Sequence, residues 1–115
     1  EELKTRPLIA LDESLARHRL SVWLRETVPD ARFAARSDSV LGLVSAAKAG
    51  VGVAVLPTAL GNAEPDLLRV LGPIPELGRA WRILTHPDAR HLPRVAAFFD
   101  FVASEGDRLK PILTG

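Results

Sequence analysis

The chain has no cysteine and no methionine in 115 residues. Without cysteine, disulfides and thiolate metal sites are excluded, and a reducing compartment such as the cytoplasm is permitted. With no methionine and with Glu1 as first residue, the chain reads as a piece of something longer. An excess of one charge is also missing. Fifteen Lys and Arg face fourteen Asp and Glu, for a net charge of +1, so nothing argues for a nucleic-acid-binding surface in this piece. Apolar runs are all too short to span a bilayer. The opening EELKTRP is polar and mixed in charge, unlike a signal peptide. Also absent are a G-x-S-x-G nucleophile turn and a G-x-G-x-x-G loop that opens a helix.

What is present is a soluble, core-forming composition. Apolar residues make up 47% and charged residues 25%, enough for one domain of ordinary size. The richest stretch is residues 36–57, RSDSVLGLVSAAKAGVGVAVLP. Ser37, Asp38 and Ser39 can each accept from the orphan N–H groups of a helix start. Val40, Leu43, Val44 and Ala47 follow at the spacing of one helical face. Lys48 suits the negative end of the helix dipole, and Gly50 suits the left-handed position just past it. Residues 52–56 form a continuous apolar run, as a strand buried on both faces would, and Pro57 ends it.

The rest of the chain alternates in the same way. PLIAL at 7–11 predicts a buried strand. A helix follows from Asp12 and Glu13 to about Thr27, with Leu20, Trp23, Leu24 and Val28 as its core stripe. RFAAR at 32–36 predicts a second strand. Residues 57–66 read as irregular with one helical turn, and residues 67–71 and 81–84 as two further strands. Between those strands, residues 72–78 hold two prolines and two glycines and read as a loop. A last helix opens at Pro93, and residues 107–115 read as a frayed tail. Strand–helix alternation with short connections predicts an α/β fold: a small three-layer sandwich with a mainly parallel sheet.

In such sheets ligands bind beyond the carboxyl ends of the strands. Asp12, the helix start at Ser37, Asp38 and Ser39, and Pro57 with Thr58 all fall at such ends. They are the candidate binding residues. Capping explains Ser37–Asp38–Ser39 equally well, and Asp38 counts against a strongly anionic ligand. His86 and His91, with Asp88 between them, lack a third ligand at motif spacing and read as a solvated loop, so no metal is expected. Asp12 and Glu13 are a carboxylate pair at a helix start and read as capping. Nothing forms a catalytic constellation, so no catalytic residue, no cofactor and no enzyme activity is expected. The last helix has Val95, Phe99 and Val102 on one stripe and Phe98 and Phe101 on another. That arc is too wide for a helix lying on one small sheet.

Taken in order, PLIAL, Trp23–Leu24 with the following Pro29, RSDS with its apolar helix, AGVGVAVLP, LLRVL and ILTHPDARHLPRVAAFFDFV at 83–102 resemble the effector-binding region of LysR-type transcriptional regulators. The resemblance spans nearly the whole chain, and the segment 83–102 is the most diagnostic. It implies one subdomain of a type II periplasmic-binding-protein-like fold. Residues 1–84 would be the second subdomain, and residues 85–115 a return segment and C-terminal helix packing on an absent first subdomain. It implies a cytoplasmic bacterial regulator, with a small-molecule effector in the cleft between subdomains and DNA bound only through an N-terminal domain outside this chain. It implies self-association too, through an antiparallel interface formed by the edge strand 32–36 and the helix 13–27, and no membrane partner. A subdomain of a periplasmic solute-binding protein is the alternative, since it shares the architecture.

Overall fold

The computed structural model describes residues 2–114, with the side chains of residues 3–114. By their contacts these fall into two compact units, residues 1–78 and residues 79–115.

The first unit is built on a three-stranded parallel sheet of order β2-β1-β3, with β1 at Leu8–Leu11, β2 at Phe33–Ser37 and β3 at Val53–Ala54. A short helix α1 (Glu2–Thr5) precedes it. All four β1 residues are buried. Their side chains alternate between the two faces of the sheet, so both faces are covered. Helices α2 (Arg19–Thr27) and α3 (Val40–Lys48) supply that cover as the β1–β2 and β2–β3 crossovers. The parallel pairing and the edge position of β2 are those expected for the sheet and for the strand at 32–36. The doubly buried strand is β1 rather than 52–56, because β3 lies at an edge and its residues are only half-buried.

Helix α2 starts later than its pattern predicts. Residues Glu13–Leu15 form a 3₁₀ turn capped by Asp12, and the α-helix begins after His18, whose Nδ1 accepts from the Leu20 N–H. The core stripe is where the spacing puts it: Leu20, Leu24 and Val28 are buried and Trp23 packs against the cluster. Helix α3 closes with a two-bond motif. The Val51 N–H donates to the Ala46 carbonyl and the Gly50 N–H to the Ala47 carbonyl, with Gly50 at φ +75°. Gly52 has a separate reason: a Cβ there would sit 2.4 Å from the Pro7 carbonyl oxygen, so the β1–β3 approach needs glycine.

Helix α4 (Thr58–Asn62) is the single helical turn expected in 57–66. The two further strands do not form. Residues 67–71 and 81–84 pair with no strand among the described residues. Leu68 and Leu84 are 87% and 86% exposed. An apolar run becomes a strand only where a ladder partner takes its backbone groups, and here none does. A 3₁₀ turn at Pro75–Leu77 lies in the loop between them, and its Leu77 packs against the core of the sheet unit.

The second unit contains a 3₁₀ turn at Pro87–Ala89, helix α5 (Pro93–Ser104), with Pro93 in its first turn, and helix α6 (Gly106–Thr114). Helix α6 replaces the expected frayed tail over 107–114; residue 115 lies outside the described residues. Pro111 stands inside it, where it removes one backbone donor. The Arg108 guanidinium pairs with Glu105 at 2.7 Å across the junction of the two helices.

Candidate functional site: the carboxyl edge of the sheet

Parallel pairing brings the strand ends to one edge. Leu11 is the register partner of Ser37, and one residue further the Asp12 N–H donates to the Ser37 carbonyl at 2.9 Å. On the other side Leu8 pairs with Val53 and Ile9 with Ala54. That pairing ends at Ala54, three residues before Pro57. Asp12 and Ser37–Ser39 therefore stand together at one rim, with Pro57–Thr58 following the end of the neighbouring strand.

Each rim residue has a local task. The Asp12 carboxylate accepts from the Ser14 N–H at 2.9 Å and from the Ser14 hydroxyl. It caps the 3₁₀ turn that lifts the chain off the sheet. Of the three candidate caps, Ser39 holds the position: its Oγ accepts from the Gly42 N–H at 3.0 Å. Ser37 supports it, with its Oγ accepting from the Ser39 N–H at 3.2 Å. Asp38 is exposed and takes no part in the cap. Gly42 keeps the first turn of α3 close to β2, since a Cβ at that position would lie 2.0 Å from Ser37 Oγ. Pro57 stands before α4 and its carbonyl accepts from the Leu60 and Gly61 N–H groups, both at 3.0 Å, leaving Thr58 half-buried as the first residue of the helix.

Arg36 is the rim residue that sequence reasoning missed. Its guanidinium lies 4.8 Å from the Phe33 ring centre. It donates to the Leu11 carbonyl at 3.3 Å and pairs with Glu13 at 3.4 Å. The sequence marked it only as a strand end, yet its place immediately before Ser37 was the available signal. It brings a cation to an edge where two carboxylates, Asp12 and Glu13, would otherwise dominate.

Open concavities lie elsewhere. A groove of about 480 Å³ runs along residues 13–18, beginning one residue past Asp12. Another, of about 470 Å³, lies within the second unit among Ile83, Leu84, Thr85, Pro87, Arg90, His91 and Phe99. Both are open, whereas the rim is made of fixed polar groups, and a few fixed polar groups are what orient a ligand. His86 is occupied by Asp88, accepting from its N–H and standing 3.4 Å from its carboxylate. Among the described residues no three His, Asp or Glu side chains gather as a metal site. At the far end of α3, Lys48 Nζ lies 2.5 Å from Glu64 and 4.0 Å from Asp66. The hydrogen bond and charge of Glu64 raise its pKa above the usual lysine value.

A parallel α/β unit whose strand ends and helix start converge on one polar edge is the arrangement at which open α/β sheets bind ligands. Comparison with protein families agrees: the family model described as the LysR substrate binding domain matches residues 1–107. The chain belongs to that family, the effector-binding part of LysR-type transcription regulators. None of the curated proteins or solved structures compared with the chain matches it significantly. No helix among the described residues is long and apolar enough to cross a membrane.

Proposed function

We propose that this chain senses a small-molecule effector for a LysR-type DNA-binding regulator, and that the effector meets the rim formed by Asp12, Ser37, Asp38, Ser39, Pro57 and Thr58. The observation that carries the proposal is the convergence of the β1 and β2 ends on the capped start of α3, joined by the Asp12 N–H to Ser37 carbonyl bond. A helix start leaves its first N–H groups without partners inside the helix. Ser37 and Ser39 take two of those near the rim, which leaves the N–H groups of Val40 and Leu41. Both serine oxygens act as acceptors in these bonds, so each hydroxyl hydrogen is free to donate. Four donors at one edge suit an effector that presents oxygen acceptors, with Arg36 offsetting Asp12 and Glu13.

In this proposal residues 1–84 are the second subdomain, and residues 85–115 are the return segment and closing helix. The first subdomain completes the cleft. Effector binding shifts the relative orientation of the subdomains, and with it the grip of the oligomer on DNA through an N-terminal domain. The regulator works in the cytoplasm as a homo-oligomer, and the sheet edge at β2 with α2 forms half of the subunit interface. The chain acts as a sensor rather than an enzyme. A metabolite thermal-shift screen on the intact sensor domain tests this. At 100 times Kd a bound effector adds about 2.7 kcal/mol, a shift of several degrees. Replacing Ser37 and Ser39 together by Ala removes that shift; an equal shift in the double variant would move the site elsewhere.

A further inference from the structure

Residues 68–85 form a long stretch with neither helix nor strand except the 3₁₀ turn at Pro75–Leu77. In that stretch the backbone N–H groups bonded to backbone carbonyls are those of Leu77 and Gly78, both closing the same turn. The turn is also the one place where the stretch touches the core, through half-buried Leu77. One cation holds it. The Arg19 guanidinium, in the first turn of α2, donates through Nη2 to the Glu76 carbonyl and through Nη1 to the Gly78 carbonyl. The two carbonyls flank Leu77, so the fork grips the turn on both sides of its buried residue. Gly78 is also the last residue of the sheet unit.

We infer that Arg19 is a latch: it holds residues 74–78 on α2 and so fixes the point at which the chain leaves the sheet unit. The guanidinium suits the task because its planar fork carries several donors and stays charged at every working pH. Two carbonyl oxygens that would otherwise point to water become its acceptors. Lysine, a point charge on a flexible stem, reaches one of them at a time. With the latch open, the turn at Pro75–Leu77 has the Leu77 contact with the core as its remaining anchor, the other tie of the stretch being the Arg69 guanidinium, which donates to Asn62 Oδ1 at 2.6 Å near its start. The exit point then moves with the loop rather than with the sheet.

Hydrogen exchange on the 115-residue chain, with limited trypsin digestion, tests the latch. Hydrogen bonds from a charged donor at a wet surface predict a modest opening, so in Arg19→Ala the Leu77 and Gly78 amides exchange about threefold to tenfold faster. Cleavage after Arg79 and Arg82 accelerates by a similar factor, and the β1 amides are unchanged. Arg19→Lys falls between the two. Unchanged exchange at Leu77 and Gly78 in Arg19→Ala, with fast exchange in Leu77→Ala, would overturn the latch and leave apolar packing as the anchor. Faster exchange at β1 in Arg19→Ala would overturn it too, because Arg19 would then act on the fold as a whole.

Discussion

Glycines at two positions carry more of the geometry than their size suggests, and substitution there separates the rim from the core. At Gly42 an added methyl meets Ser37 Oγ, which can turn away, and comes within 2.9 Å of Ser37 Cβ, which can move only with the strand end. At Gly52 it meets the Pro7 carbonyl, which is backbone and pinned by the bond from the Val53 N–H at 2.9 Å. Gly52→Ala is therefore expected to cost about 1–3 kcal/mol of stability. Gly42→Ala forces the start of α3 and the end of β2 apart at Ser37, so it is expected to weaken effector binding. Urea melts and binding titrations of the two variants show whether that split holds. Rim residues were partly legible in the sequence. Serine and aspartate before an apolar stripe announced a helix start, yet three adjacent cap formers left the cap itself open between Ser37, Asp38 and Ser39. Choosing Ser39 needed the backbone, since only the residue with extended φ and ψ just before the first turn can cap it. Arg36 escaped because its contacts, Leu11, Glu13 and Phe33, come together only when β1 and β2 pair.

Helices and the central strand were written in the apolar spacing, and the chain obeys it wherever a partner element is at hand. Leu43 is fully buried and Leu24 nearly so. Leu43→Ala or Leu24→Ala is expected to cost about 2–5 kcal/mol, read as a drop in the chemical unfolding midpoint. The segments LLRVL and WRIL have the same apolar character and form no strand, because a strand is a property of two segments and pattern alone supplies one. Residues 107–114 failed the other way. They read as a tail, but the chain turns at Glu105 and continues as α6. The end of α3 offers a cleaner electrostatic test. Lys48 has its pKa raised from 10.5 by Glu64 and, more weakly, by Asp66. A group with a raised folded pKa stabilises below its unfolded value and loses that contribution as pH rises through the folded one. The difference in melting temperature between the native chain and Lys48→Met should stay constant through neutral pH and shrink above about pH 10.5. A difference that stays constant through that same high-pH range would mean that Lys48 acts by packing.

Assembly is where the exposed apolar groups matter. Phe98 and Phe101 on α5 are 53% and 61% exposed, and Phe98 meets Phe99 edge to face at 6.4 Å. Burying one such ring is worth about 1.5–3 kcal/mol, so the chain is expected to self-associate through α5. Light scattering at micromolar concentration should show a dimer, and Phe98→Ser with Phe101→Ser should return it to monomer. The sequence foresaw this surface from the width of the α5 apolar arc, and the proline- and glycine-rich loop at 72–78 ends where the two compact units divide. The proposed seat of the effector is the carboxyl edge of the sheet. The most direct measurement is backbone amide shift mapping of the sensor domain with an effector found by the thermal-shift screen. With the effector at that edge, the largest changes fall at Asp12, at residues 38–41 and at Thr58. Changes confined to residues 83–99, with the rim amides unmoved, would contradict that placement.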